Sequence, residues 1–402
     1  SNIVSQAVLS DRTPSIMKIF AVICLSLVSI TLSAAPIIIP APPQLATEGH
    51  ILLDAATGTV LVEQNSEVRL PPASLTKIMT SYIIASEIEQ GRIALDDEVP
   101  ISVKAWKTGG SRMFVREGTD VKVSDLIRGI VVQSGNDASV AMAEFIAGDE
   151  TAFADIMNQM AARLGMENSE FRNATGLPDE SHYTTARDLS VLATALIQDF
   201  PEHYKIYQEK YFSYNDIRQA NRNSLLFRDD SVDGVKTGHT QAAGYCLVAS
   251  AEKADMRLIS VVMGATSERA RAVESQKLLN YGFRYYESIK LYEPLESLRQ
   301  VRVWEGLHES LAVGLEDLVQ LTIPRGSRGA LEADIVLEPI IRAPITRGQE
   351  LGTLTVRLDG ESLLERPVVA LNGVKPAGFF AGLMDSFQLF LLETFSGDPL
   401  AL

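Results

Sequence analysis

Apolar residues recur along this 402-residue chain with two different periods, and the dominant period changes along it. Between 50 and 64 two apolar runs flank Thr57-Gly58, the signal of a β-hairpin, and Pro71-Pro72 end that element. Over 74–90, Leu75, Ile78, Met79, Tyr82, Ile83 and Ile88 return at helical spacing, and Gly91 supplies a terminator. The same periodicity predicts helices over 125–132, 137–147, 153–164 and 185–198. Then 232–238, 244–251 and 257–265 become apolar runs joined by short polar turns, which predicts three successive strands, and a helix over 267–286 follows. A helical cluster flanked by early and late strands predicts an α/β sandwich, with the first hairpin joining the last strands in one antiparallel sheet. From about 291 the period falls to two. Residues 301–304, 318–323, 331–337 and 351–358 alternate apolar and polar positions between Gly and Pro, predicting a small all-β domain.

Two apolar segments lie outside those units. Met17-Lys18, the run 19–32 and Ser33-Ala34-Ala35 have the layout of a signal peptide, expected over 17–35. The run is shorter than the roughly 20 residues of a spanning helix, and Pro36 makes cleavage directly after Ala35 awkward. Residues 1–16 are read as an over-extended start, and the proline-rich stretch 36–44 as an extended linker. At the other end, Phe379, Phe380, Leu383, Met384, Phe387, Phe390, Leu391 and Phe395 form one broad helical face within 376–397. That segment is too short and too charged to span a bilayer, and is expected to lie in a membrane interface. The alternative is packing on the β domain or a second subunit. No Lys or Arg follows Lys375, so binding should rest on apolar burial and vary little with salt.

Composition narrows the class. Hydrophobic residues make up 46% and charged ones 22%, as in ordered globular proteins. A net charge of −15 speaks against nucleic acid as a partner. Of two cysteines, Cys24 falls in the signal segment. Cys246 then remains as a single thiol, expected to be a buried strand residue. The five histidines (50, 182, 203, 239 and 308) form no H-x-x-x-H or H-x-H pair, so neither a zinc site nor another cofactor is indicated.

The candidate chemistry lies in Ser74-Leu-Thr-Lys77, Ser134-Gly-Asn136 and Lys236-Thr-Gly238. Alone, the first is weak, because Ser15/Lys18 and Ser250/Lys253 repeat its spacing. Taken singly, Ser74 reads as a helix N-cap, Ser134-Gly-Asn136 as a turn and Lys236-Thr-Gly238 as a strand end. In order, with 60 residues between the serines and 102 from Ser134 to Lys236, the three match a serine-acylating site. One helical turn puts Ser74 and Lys77 on the same face. A serine hydroxyl needs a base, and Lys77 serves only when neutral, its pKa about two to three units below normal. Burial and a second cation, for which Lys236 is the candidate, would have that effect.

The motifs sit in longer stretches: Pro72-Ala-Ser-Leu-Thr-Lys-Ile-Met-Thr80, Gln133-Ser-Gly-Asn-Asp-Ala138, Tyr183-Thr-Thr-Ala-Arg-Asp188 and Val232-Asp-Gly-Val-Lys-Thr-Gly-His-Thr240. On these the chain resembles the low-molecular-mass penicillin-binding proteins, specifically serine D-alanyl-D-alanine carboxypeptidases with a C-terminal β domain. The resemblance runs from about residue 45 to the C-terminal helix. It implies a penicillin-binding/β-lactamase-like transpeptidase fold over 45–290, an all-β domain over 291–375 and a membrane-associating helix over 376–397. By this resemblance Ser74 attacks the penultimate D-alanine, Lys77 takes its proton and later activates water, and Ser134 relays a proton to the leaving amine. Asn136 holds the substrate amide; Lys236 and Thr237, with Gly238 in the same motif, bind the terminal carboxylate, and Arg222 assists. The N–H groups of Ser74 and His239 form the oxyanion hole. The implied substrates are peptidoglycan pentapeptide stems, β-lactam antibiotics are inhibitors, and the location is the periplasm, at the outer face of the inner membrane.

Class A β-lactamases share the motifs but add a deacylating glutamate in an E-x-x-L-N pattern. Residues 173–182 lack it, with only Glu180 nearby, so slow β-lactam turnover is expected. A DD-endopeptidase is the closer alternative. An inactive binding protein is disfavoured by intact Ser74, Lys77, Ser134 and Lys236.

Overall fold

The computed structural model describes residues 38–378 together with Phe387, Gln388 and Phe390. The expected signal segment and most of the expected terminal helix lie outside the described residues. The first hairpin, β1 (Gly49–Asp54) and β2 (Val60–Gln64), pairs through β1 with a later meander of β3 (Val232–Thr240), β4 (Gly244–Lys253) and β5 (Met256–Ala265). The antiparallel order is β2-β1-β5-β4-β3, so the first hairpin joins the last strands in one sheet as expected.

Strand alternation explains why those runs are nearly all apolar. On β5, Ile259, Val261 and Met263 enter one core cluster and Leu258 and Val262 another, so both faces of the sheet are covered. The second cluster is closed by α6 (Glu268–Tyr285) through Ala272, Leu278, Leu279 and Tyr281. The first is closed by the helical group α1 (Thr76–Glu89), α2 (Val123–Val131), α3 (Asn136–Ala147), α4 (Glu150–Leu164) and α5 (Ala186–Asp199). Side-chain oxygens of Asp149, Thr185 and Ser267 cap α4, α5 and α6. Each such cap is worth about 1 kcal/mol.

Helix α1 departs from the amphipathic expectation, being buried at every position from Thr76 to Ser86. Its polar residues are satisfied internally: Thr80 donates to the Ala174 carbonyl (2.8 Å) and the Tyr82 hydroxyl to Asp199 (2.7 Å). A helix buried on all sides with paired polar groups is a rigid axis. It carries Lys77.

After α6 the chain enters the β unit without a break. β6 (Tyr286–Tyr292) pairs with β9 (Val319–Pro324), so this strand spans the boundary expected at 290. The remaining strands, β7 (Arg299–Arg302), β8 (Ser310–Gly314), β10 (Leu331–Leu337), β11 (Glu350–Leu358) and β12 (Glu361–Ala370), form a sheet ordered β7-β8-β12-β11-β10. The unit has its own core, including Val313, Ile323, Leu354, Val356 and Val368. It docks on the first hairpin, where Thr322 donates to Asp54 at 2.8 Å.

Candidate active site

The three motifs converge from three elements. Ser74 lies in a 3-10 turn, Ala73–Leu75, immediately before α1 rather than in the α-helix expected to begin at 74. Ser134 precedes α3 in a left-handed conformation (φ 65°), and Lys236 lies in the middle of β3. Ser74, Ser134, Asn136, Arg222, Thr237, Gly238 and His239 all line one cleft of about 740 Å3. Lys77 and Lys236 reach it from below, buried at 0% and 3% exposure. All nine residues singled out from the sequence therefore meet at one place.

Hydrogen bonds define the geometry. The Lys77 ammonium nitrogen is 2.9 Å from Ser74 Oγ, 2.7 Å from Asn136 Oδ1 and 2.6 Å from the Thr175 carbonyl. Lys236 Nζ is 2.9 Å from Ser134 Oγ. Burial lowers the Lys77 pKa to about 7, helped by the Arg222 charge and opposed by Asp137. Arg222 therefore adds a cation that the sequence pattern did not single out for this effect, beside the expected Lys236. Lys236 is itself depressed well below the ordinary lysine value, by burial first and then by Lys77, Arg222 and Arg271. Two buried amines this close disfavour each other's charge, so neutralising one eases protonation of the other.

Asn136 is occupied in the free protein: its oxygen accepts from Lys77 and its amide nitrogen donates to the Gly109 carbonyl (2.7 Å). It thus links the amine of α1 to the loop 109–115. The neighbouring Asp137 grips that loop, accepting from the N–H groups of Met113 (3.0 Å), Phe114 (2.9 Å) and Val115 (3.2 Å). The opposite wall is 173–178. Asn173 Oδ1 accepts from the N–H of Thr175 and of Gly176, at 3.1 and 2.7 Å. Gly176 has φ +84°, and a Cβ there would stand 1.7 Å from the Ala73 carbonyl oxygen. Only glycine lets this wall approach the Ser74 turn.

Thr175, Asp137, Gly176 and Arg271 escaped the sequence reading. Arg271 donates to the Gly238 carbonyl at 3.2 Å and lies over Tyr245, which in turn stacks on His239 with centroids 4.0 Å apart. Asp137 adjoins the second motif, and Gly109-Gly110 and Gly176 punctuate loops, so a local signal existed for those. Thr175 acts through its backbone carbonyl, and Arg271 sits on a distant helix, so neither left one.

The decoys are accounted for. Ser250 accepts from Arg257 in β4 (2.7 Å), far from any such role for Lys253, whose amine lies over the Phe283 ring. Ser15 and Lys18 lie outside the described residues. Cys246 is buried and burial pushes its thiol up to about 11, so it is an inert core residue.

Comparison with known proteins gives the family. Residues 37–267 match the family model "D-alanyl-D-alanine carboxypeptidase", and 286–376 match "Penicillin-binding protein 5, C-terminal domain". The D-alanyl-D-alanine carboxypeptidase DacA of Escherichia coli K12 is 44% identical over 365 residues, 89% of this chain and 91% of the relative. Penicillin-binding protein 5 of Haemophilus influenzae has a solved structure that superposes with a TM-score of 0.80 at 41% identity, covering 84% of this chain and 99% of that one. Penicillin-binding protein D2 of Listeria monocytogenes, solved in its ampicillin-bound form, superposes at 0.55 with 27% identity over 60% of this chain and 98% of its own.

Proposed function

The chain belongs to the D-alanyl-D-alanine carboxypeptidase family, and from that premise we propose which of its residues carry out the family's serine reaction. The protein is a serine-type D-alanyl-D-alanine carboxypeptidase. In the proposed mechanism the substrate's terminal carboxylate lies against Lys236 and Thr237, with Arg222 at the rim. Ser74 Oγ loses its proton to neutral Lys77 and attacks the carbonyl carbon of the penultimate D-alanine. The oxygen becomes an oxyanion held by the N–H groups of Ser74 and His239. On collapse, Ser134 passes a proton to the departing D-alanine nitrogen and is replenished with the proton Lys77 took up. A water molecule, deprotonated by Lys77, then attacks the acyl ester, and Ser74 leaves with that proton. The peptide emerges one D-alanine shorter.

The observation that carries these roles is the Lys77 amine, 2.9 Å from Ser74 Oγ in a site that lowers its pKa to about 7. Free D-alanine released from a pentapeptide ending in D-Ala-D-Ala, together with covalent labelling by penicillin, tests them. Both should vanish in Ser74→Ala. Release that survives this substitution rejects the assigned nucleophile.

The natural substrates we infer are pentapeptide stems of peptidoglycan, with β-lactams as acylating inhibitors that Ser74 opens by the same attack. Neither Asp179 nor Glu180 of the 173–182 loop lines the cleft, and Lys77 meets the Thr175 carbonyl on that side. A loop without a deacylating carboxylate favours a long-lived acyl-enzyme. We also infer a periplasmic location, with peripheral attachment to the inner membrane through 376–397. Phe387 and Phe390 in that segment are 59% and 60% exposed, which supports an apolar face presented outward. Among the described residues no helix is long and apolar enough to cross a membrane.

A further inference from the structure

The catalytic cleft continues beyond Thr240. Thr240, Gly176 and Leu177 also line a second cavity of about 540 Å3, so the two spaces share a wall. Leu70, Pro71, Leu177 and Pro178 give the second cavity an apolar lining. Arg69, Asp179 and Glu180 put opposite charges around it. The Arg69 guanidinium is held in place, donating to Asn168 Oδ1 at 3.0 Å and lying 4.8 Å over the Tyr183 ring. Both of those partners are uncharged. Among the described residues Arg69 forms no ion pair with Asp179, Glu180 or any other carboxylate, so its charge remains available to a ligand.

The register along β3 determines which part of a substrate arrives there. This step rests on the reading above, with the terminal carboxylate at Lys236 and Thr237 and the scissile carbonyl at the His239 N–H. A strand and an extended peptide both advance about 3.3 Å per residue. A stem that runs from Thr237 past His239 therefore brings its third residue, the one before the two D-alanines, to Thr240. There the second cavity opens.

We propose that this cavity binds the side chain of the stem's third residue, and that it is built for a side chain ending in an amino-acid head, an ammonium and a carboxylate on one carbon. The apolar walls cover the methylene chain. Asp179 and Glu180 take the ammonium, and Arg69 takes the carboxylate in a charge-assisted pair. A lysine side chain would use the acidic end alone and leave Arg69 unanswered.

The test compares kcat/KM of the purified full chain for three pentapeptides that differ only at the third residue: meso-2,6-diaminopimelate, L-lysine and norleucine. The expected order is diaminopimelate, lysine, norleucine, with about tenfold or more between the first two, the value of one charged hydrogen bond. Arg69→Gln should bring the diaminopimelate-to-lysine ratio within about twofold of unity, while both remain better than norleucine. Glu180→Gln should shrink the lysine-to-norleucine ratio. Ratios within one variant cancel any general loss from weaker folding. Equal values for all three peptides in the wild type, or a diaminopimelate-to-lysine ratio untouched by Arg69→Gln, would overturn the assignment. Failure of the underlying reading looks different: D-alanine release would be absent for every peptide, or would persist in Ser74→Ala.

Discussion

Lys77 can accept the Ser74 proton only while its amine is neutral, and burial with help from Arg222 lowers its pKa from 10.5 to about 7. A lysine left at its ordinary value would be neutral in about one molecule in 3,000 at pH 7, whereas with a pKa near 7 about half the molecules are neutral. The competent form is the deprotonated one, so activity is present above the pKa and lost as pH falls through it. Both kcat/KM for a pentapeptide and the rate constant of acylation by benzylpenicillin should drop about tenfold per unit below pH 6. At pH 5 they should stand at about one-fiftieth of their pH 7 values, with a plateau reached above about pH 8. Lys77→Arg keeps a cation but cannot supply a base at any of these pH values, and should cost about 10²–10⁴-fold throughout. Rapid-mixing measurements of penicillin acylation from pH 5 to 10 provide the assay. A profile still rising tenfold per unit at pH 9 would show an unshifted lysine. One that is flat from pH 5 to 8 would show that another group takes the proton.

Further outcomes are expected from the same geometry. Gly176→Ala drives a Cβ into the Ala73 carbonyl at φ +84°, so it should lower the melting temperature and slow penicillin acylation together, because the clash is with the Ser74 turn itself. Asp137→Ala strips the acceptor from three N–H groups of 113–115 and should cost about 3 kcal/mol or more in urea denaturation, with the midpoint shifted. Benzylpenicillin should be consumed in a burst of one equivalent followed by slow turnover, and sustained hydrolysis without a burst would contradict the assigned loop chemistry. Deleting 378–402 should release the protein from membranes. Unchanged association after that deletion would remove the C-terminal face as the anchor.

Most of the catalytic unit was legible in the sequence because its core strands are covered on both faces. Runs such as 244–251 and 257–265 had to be apolar almost throughout, and their lengths marked them as strands. The β unit was less legible. β12 begins Glu361-Ser-Leu-Leu-Glu-Arg-Pro367, with its first six residues largely outside the core, and only its pairing with β11 and β8 makes it a strand. β8 is five residues long and was missed for lack of pattern. The start of α1 was misplaced by two residues. Ala73 sits at φ 49°, and this turn packs against the Gly176 and Gly238 backbones, which come from distant parts of the chain.

The division at the site follows the same physics. Residue type and short spacing are local properties, so the sequence alone determined that Ser74 and Lys77 lie on one face a turn apart, and that an ordered set of three motifs points to serine acylation. A proton affinity is not local. The charge state of Lys77 depends on water excluded by α1, α3 and the 173–178 wall and on which cations remain within Coulomb reach, a sum over neighbours far apart in the chain. Only the folded arrangement could decide that Arg222 joins burial in lowering the Lys77 pKa, that the Thr175 carbonyl stands beside its amine, and that Arg69 faces a cavity opening beyond Thr240.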